Sequence, residues 1–255
     1  MLEVKTVSAG YGSLQILSEV SFSAKEGEIT VVVGPNGSGK STLLKTIFGL
    51  TRLYSGEVIF DGHKVSGLPT HRIARMGLAY LPQVESVFPN LTVRENLKMA
   101  GYTVDESDLA YRIEQVSQMF PILQERKNRK SNLLSGGERQ MLAMSMALIR
   151  SPSLIMFDEP TANLAPKIAL FVLSQIVEIR DKLGLTIVLV EQNARKALEI
   201  GNRALLLVSG RSVYEGGAQD LLSNPELGRL YLGIGLEQKR VAEKPESLDT
   251  TQTKR

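Results

Sequence analysis

The chain has 255 residues, a formal net charge of +3, 43% hydrophobic and 22% charged residues, and no cysteine. That length buries a sizeable core and fits one large domain, or one domain with an insertion. Without cysteine there is no disulfide framework, thiolate nucleophile or zinc–thiolate site, which suits a reducing cytosol, and so small a net charge does not by itself call for nucleic acid.

Met1-Leu2-Glu3-Val4-Lys5 lacks the basic-then-apolar layout of a signal peptide. No apolar run approaches the ~20 residues needed to cross a bilayer, so a membrane role has to come through a partner. Residues 1 to 30 read as short strands, with Val20-Ser21-Phe22-Ser23 alternating before Glu26-Gly27-Glu28 turns the chain. Gly10-Tyr11-Gly12 sits in a turn, where Tyr11 fits either a packed turn aromatic or a ring that stacks on adenine.

The β-branched run Thr30 to Val33 reads as a buried strand, and Leu43, Leu44, Ile47 and Phe48 carry a helix after it. Between them lies Gly34-Pro35-Asn36-Gly37-Ser38-Gly39-Lys40-Ser41-Thr42. Gly34-x-x-x-x-Gly39-Lys40-Ser41 is the P-loop pattern in its confirming context of strand, turn and helix. Glycines let consecutive N–H groups turn inward around phosphate oxygens, and the helix start adds partial positive charge. Lys40 supplies a full charge to the terminal phosphates, and the Ser41 hydroxyl is a ligand for Mg²⁺.

Gly56 to Gly62 reads as a strand ending in an Asp-Gly turn, Pro69 to Met76 as a short helix, and Leu78 to Leu81 as a buried strand. From Val93 to about Arg150 the periodicity is helical, with Leu109, Ile113, Val116 and Phe120 at helical spacing, an expected helical subdomain inserted in an α/β core. Lys127 to Asn132 reads as a solvated polar loop. Ser135 is a good N-cap for the helix through Met141, Met144 and Leu148, and Gly136-Gly137 make its start a second anion-binding candidate.

Leu154-Ile155-Met156-Phe157-Asp158-Glu159 is a continuous apolar run ending in two carboxylates, the pattern of a central parallel strand. Asp158 is placed to hold a Mg²⁺ that Ser41 also contacts, and Glu159 to orient or deprotonate water. Pro166 opens a helix that Gly184 ends, and Thr186 to Val190 is the next buried strand, finishing at Glu191-Gln192. Ala204 to Val208 and Ser212 to Tyr214 flank a turn at Ser209-Gly210-Arg211. Residues 236–255 are polar and aperiodic, a tail expected to be poorly ordered or docked elsewhere. His63 and His71 match no motif.

A P-loop with a second phosphate cradle far away in sequence suggests two chains sharing nucleotide head-to-tail. With these motifs in this order, the chain resembles an ATP-binding-cassette (ABC) ATPase from about residue 2 to 235. Gly34 to Thr42 is similar to its Walker A, Leu134-Ser135-Gly136-Gly137-Glu138-Arg139-Gln140 to its signature motif, and Leu154 to Glu159 to its Walker B with catalytic glutamate. By position Tyr11 resembles the adenine-stacking aromatic, and Gln83 the Q-loop glutamine that touches Mg²⁺ and attacking water where the membrane subunit docks. The resemblance implies an α/β fold: a P-loop NTPase core with a mixed sheet, an N-terminal antiparallel β subdomain and the inserted helices. It also implies a homo- or heterodimer with two ATPs sandwiched between one subunit's Walker A and the other's signature helix. Such a dimer drives permease subunits from the cytoplasmic face of the membrane, with an extracytoplasmic substrate-binding protein acting indirectly and no nucleic acid involved.

Two positions depart from the usual pattern. Gln192 replaces the histidine after the strand that follows Walker B, and an amide can hydrogen-bond γ-phosphate but cannot take up a proton. Ala165 replaces the aspartate of the D-loop in Asn163-Leu164-Ala165-Pro166. Both are similar to the smaller ATPase of branched-chain (hydrophobic) amino-acid importers, as are Phe88 to Leu97 and Gln140-Met141-Leu142-Ala143; urea and short-amide importer ATPases are close relatives. A soluble ABC ATPase for cofactor assembly stands as the alternative, though such a protein should keep the histidine. A non-hydrolysing binding module is the third reading, opposed by intact Lys40, Asp158 and Glu159.

Overall fold

The computed structural model describes residues 1–84 and 86–227. Strands β1 (Leu2–Tyr11) and β2 (Leu14–Ala24) form a long antiparallel hairpin, not the short strands expected. Val4 pairs with Phe22 but Val7 with Val20, a register shift at which Thr6 and Glu19 take φ of 46° and 52°. Such bulges interrupt the period-2 alternation that marks a strand in sequence. Serine hydroxyls serve the disturbed amides: Thr6 N–H donates to Ser21 Oγ at 2.9 Å and Glu19 N–H to Ser8 Oγ at 3.1 Å.

Strand β3 (Ile29–Val33) leads through the glycine-rich turn into α1 (Lys40–Ile47). Strands β4 (Arg52–Phe60) and β5 (His63–Lys64) then complete a four-stranded antiparallel sheet in the order β2-β1-β4-β5. Strand β4 starts at Arg52, so Gly56 lies inside it and not at its beginning.

After α2 (Thr70–Arg75) and β6 (Leu78–Leu81), the chain runs through helices alone: α3 (Val93–Ala100), α4 (Glu106–Met119), α5 (Pro121–Glu125) and α6 (Gly136–Leu148). A 3₁₀ turn at Ser131–Leu133 precedes α6. Lys127 to Lys130 are exposed, as expected of the charge run, whereas Ser131 is fully buried and its Oγ donates to Phe88 O at 2.7 Å. The chain continues with β7 (Leu154–Asp158), α7 (Pro166–Leu183), β8 (Thr186–Val190), α8 (Ala194–Ile200), β9 (Arg203–Val208) and β10 (Arg211–Gly217). Helix α8 was not expected; the Asn193 side chain caps it by accepting the Lys196 N–H at 3.2 Å. The short helices α9 (Ala218–Ser223) and α10 (Pro225–Leu227) follow, and the expected tail at 236–255 lies outside the described residues. Among the described residues no helix is long and apolar enough to cross a membrane.

The second sheet has the order β10-β9-β3-β8-β7-β6, parallel except for the antiparallel edge strand β10. Its central strands are buried on both faces, as continuous apolar runs require. Alternate side chains feed two cores. Val31, Val33, Ile155, Phe157, Ile187 and Leu189 join the core that includes residues of α3, α6, α7 and α8. Val32, Met156, Val188 and Val190 join the core beneath α1 and the antiparallel sheet. Strands β3, β7 and β8 therefore end side by side, and their carboxyl ends carry Gly34, Asp158–Glu159 and Glu191–Gln192.

Candidate functional site

The turn between β3 and α1 is shaped by backbone that only glycine tolerates. Gly34 has φ 152°, and a Cβ there would lie 2.0 Å from the Leu207 carbonyl oxygen. Gly39, in the left-handed region, is the N-cap of α1, and no side chain caps that helix. Lys40 is 5% exposed, and its Nζ donates to Gly34 O at 3.0 Å and Pro35 O at 3.2 Å. Burial pushes the Lys40 ammonium below its usual range, while the nearby carboxylates of Glu159 and Asp158 push it up. Ser38 Oγ is buried with no hydrogen-bond partner among the described residues, the kind of orphan that a phosphate oxygen satisfies. Pro35, Asn36, Gly37 and Thr42 complete the turn and first helical residues as the sequence led one to expect.

The end of β7 meets this turn directly. Ser41 Oγ donates to Asp158 Oδ1 at 2.8 Å, and Tyr80 on β6 donates its hydroxyl to Asp158 Oδ2 at 2.9 Å. Asp158 is 3% exposed, so both oxygens of a buried carboxylate are satisfied. Burial, and then the charge of Asp158, push the Tyr80 phenol up, which keeps it a donor. Sequence reasoning missed Tyr80, since a tyrosine in a buried strand carries no mark of its polar partner. Glu159 takes φ 50°, and its N–H extends the ladder by donating to Val190 O at 2.9 Å. Its Oε2 accepts from Gln83 Nε2 at 3.2 Å. Lys40, Ser41, Gln83, Asp158 and Glu159 are thus brought together. Tyr11 closes β1 on the antiparallel sheet and stays 44% exposed.

The end of β8 approaches the same loop. Glu191, also missed in the sequence, is 2% exposed and accepts the Thr161 N–H at 3.1 Å and the Thr161 hydroxyl at 2.9 Å. Burial pushes its carboxyl up; the hydrogen bonds from Thr161 and the Gln192 N–H oppose that, and the charge of Glu159 adds to it. Gln192 itself is exposed.

The start of α6 is built differently. Ser135 Oγ accepts the Glu138 N–H at 3.3 Å while Glu138 Oε2 accepts the Ser135 N–H at 2.8 Å, a reciprocal capping box. Arg126 Nε donates to Glu138 Oε1 at 3.2 Å. A Cβ on Gly136 would lie 2.7 Å from Leu164 Cδ2, and one on Gly137 would lie 2.8 Å from Ile168 Cγ2. These glycines let the loop before α7 and its first turn lie against α6. Among the described residues, Ser135 to Gln140 share no hydrogen bond or ion pair with residues 34–42. A single chain does not join its two glycine-rich helix starts by polar contacts.

Residues 17–162 match the family described as ABC transporter. The chain is 51% identical over 234 residues to the probable branched-chain amino acid transport ATP-binding protein LivF of Archaeoglobus fulgidus, covering 92% of this chain and 99% of that one. It is 42% identical over 236 residues to the high-affinity branched-chain amino acid transport ATP-binding protein BraG of Pseudomonas aeruginosa, covering 91% and 100%. A solved dimeric ATP-binding cassette, MJ0796 in a post-hydrolysis state bound to ADP and Pi, superposes with a TM-score of 0.74 at 29% identity, covering 86% and 99%. With the glycine-rich turn, the buried lysine and the paired carboxylates in place, the chain belongs to the ABC transporter family as one of its ATP-binding, ATP-hydrolysing cassettes.

Proposed function

We propose that this chain is the energy-coupling subunit of an importer for branched-chain or other hydrophobic amino acids. It would work at the cytoplasmic face of the membrane through permease subunits, with a binding protein supplying the solute. The observation that carries the chemistry is the convergence of Lys40, Ser41, Asp158, Glu159 and Gln83 at the ends of β3 and β7. The cargo class is supported by identity to transport subunits over almost their whole length.

In this reading residues 34–42 cradle the phosphates through backbone N–H groups, and Lys40 neutralises their charge. Tyr11 stacks on the adenine ring. Glu159 accepts the proton of the water that attacks the γ-phosphorus, as the bridging oxygen to the β-phosphorus leaves with ADP. Gln83 orients that carboxylate, and Gln192 donates a hydrogen bond to the γ-phosphate. Ser135, Gly136, Gly137, Glu138 and Gln140 close over the nucleotide of a second cassette, a reading supported by the start of α6 sharing, among the described residues, no hydrogen bond or ion pair with its own P-loop. Mg²⁺ keeps waters and takes few protein ligands. The hydroxyl of Ser41 and the carboxylate of Asp158, 2.8 Å apart, fit that demand with Gln83 close by. When bound, the ion supplies charge neutralisation on the β- and γ-phosphates.

The test is twofold. Affinity capture of the tagged chain from membranes is expected to recover two permease subunits and a second cassette; recovery of soluble proteins alone would refute the importer. Glu159→Gln is expected to lower turnover at least ~100-fold while leaving an ATP-bound dimer on size exclusion; undiminished hydrolysis removes Glu159 from the base role. Gln192→His retains the hydrogen bond and is expected to keep turnover within about tenfold.

A further inference from the structure

Glu159 stands in a backbone conformation that residues with a side chain adopt only when their surroundings over-determine it. The turn that follows is fastened to the end of β8 by three hydrogen bonds. Glu159 N–H reaches Val190 O at 2.9 Å. Thr161 reaches Glu191 twice, through its N–H at 3.1 Å and its hydroxyl at 2.9 Å. Two donors of Thr161 thus converge on one side chain that is 2% exposed. An ionised carboxylate offers two oxygens and about four acceptor sites, which no other side chain of this length provides. No family role assigned above falls on Glu191 or Thr161, and a buried acid carries a desolvation cost that its hydrogen bonds have to offset.

We propose that Glu191 is a positioning residue for hydrolysis: its carboxylate clamps the 159–161 turn to the end of β8 and so aims Glu159. The inference rests on Glu159 acting as the base. Because among the described residues Glu191 and Thr161 share no hydrogen bond or ion pair with residues 34–42, the clamp bears on the chemical step and not on nucleotide affinity. The same loop continues to Leu164, which packs where Gly136 lacks a side chain, so the clamp also sets how the loop meets α6.

The experiment compares steady-state kinetics, ATP affinity and thermal midpoint for Glu191→Gln, Thr161→Val and the double variant, in the complex assembled with its permeases. Glutamine keeps the shape, but its NH₂ faces either the fixed Thr161 N–H or a threonine hydroxyl that has to reverse to accept it. Glu191→Gln is expected to lower kcat ten- to a hundredfold, with KM for ATP and ATP affinity within twofold. Its thermal midpoint is expected to fall by no more than about 4 °C, because glutamine keeps the size and one acceptor for the Thr161 N–H. A purely structural role predicts the opposite, loss of activity in step with loss of stability and of ATP binding. Thr161→Val, which keeps the backbone N–H, is expected to lower kcat about threefold, and to add less than half that loss in the Glu191→Gln background. The clamp is refuted if Glu191→Gln and Thr161→Val both keep kcat within twofold while Glu159→Gln abolishes turnover. It is also refuted if kcat, ATP affinity and thermal midpoint decline together. Should Glu159→Gln itself retain turnover, the base reading fails first and the clamp fails with it.

Discussion

Helices α1 and α6 both begin on glycine-rich turns, yet the glycines are needed for different reasons. In front of α1, Gly34, Gly37 and Gly39 take φ of 152°, 77° and 100°, and the helix start carries no side-chain cap. At α6 neither Gly136 nor Gly137 is among the residues with positive φ, and Ser135 with Glu138 caps the helix fully. The first set bends backbone to expose N–H groups; the second makes room for Leu164 and Ile168. One start is surrounded by Lys40, Asp158 and Glu159, whereas at the other Arg126 pairs with the capping acid and Arg139 donates to the Leu134 carbonyl. In the proposed reading α1 therefore grips the nucleotide of its own chain, and the capped start of α6 serves a site on another chain.

The comparison breaks most visibly if the two glycines prove equivalent. Gly34→Ala drives a Cβ into a backbone carbonyl and is expected to weaken ATP binding at least ~100-fold, about 2.7 kcal/mol. Gly136→Ala meets only the end of the flexible Leu164 side chain. It should leave ATP affinity of the isolated chain within twofold while lowering turnover of the assembled transporter about tenfold, or ~1.4 kcal/mol of barrier. Titration calorimetry and steady-state hydrolysis separate the two, and equal losses of affinity would erase the distinction. Next in size, Tyr80→Phe removes a hydrogen bond to the buried Asp158 carboxylate and is expected to cost about 1.5–3 kcal/mol in denaturant unfolding; no change would show that Ser41 alone holds that acid.

Tyr80 also marks where sequence reading stops. The P-loop and the paired carboxylates were legible because their residue types and spacing are dictated by phosphate chemistry. Tyr80 and Glu191 owe their importance to partners 78 and 30 residues away, and a local pattern holds no trace of such pairings. The hairpin of β1 and β2 was underestimated for a related reason, since the bulges at Thr6 and Glu19 erase the alternation that would have shown its length. Helix α8 has only Asn193 to announce it, and seven residues are too few for a periodicity.

Two smaller effects sharpen the contrast from the α6 side. Ser135→Ala removes the cap and is expected to cost ~1 kcal/mol, a fall in thermal midpoint of roughly 2–4 °C for a chain of this size. No such variant exists at α1, which has no side-chain cap to lose. The smallest effect is pH-dependent. The Ser135 N–H holds the Glu138 carboxyl below its ordinary value of 4.5, helped by the Ser135 hydroxyl and by Arg126. A lowered acid stabilises the fold fully above 4.5 and loses that contribution as pH falls through the lower folded value. Glu138→Gln is therefore expected to flatten the acid limb of a stability-versus-pH curve below pH 4.5 and to change it little at neutral pH; an unchanged acid limb would place the capping energy elsewhere.

The alternation of β3, β7 and β8 between two cores has a dynamic consequence. Neither core can open while the other stays closed, because each strand is a wall of both. The amides of Val31, Met156 and Val188 are then expected to exchange with solvent only through global unfolding, although they lie within a few residues of the loops that carry the chemistry. Shortening Val32, which faces one core, should speed exchange at Val31 and Val33, which face the other, as much as at Val32 itself. The strands beneath the loops of the candidate site are then the last part of the molecule to let go.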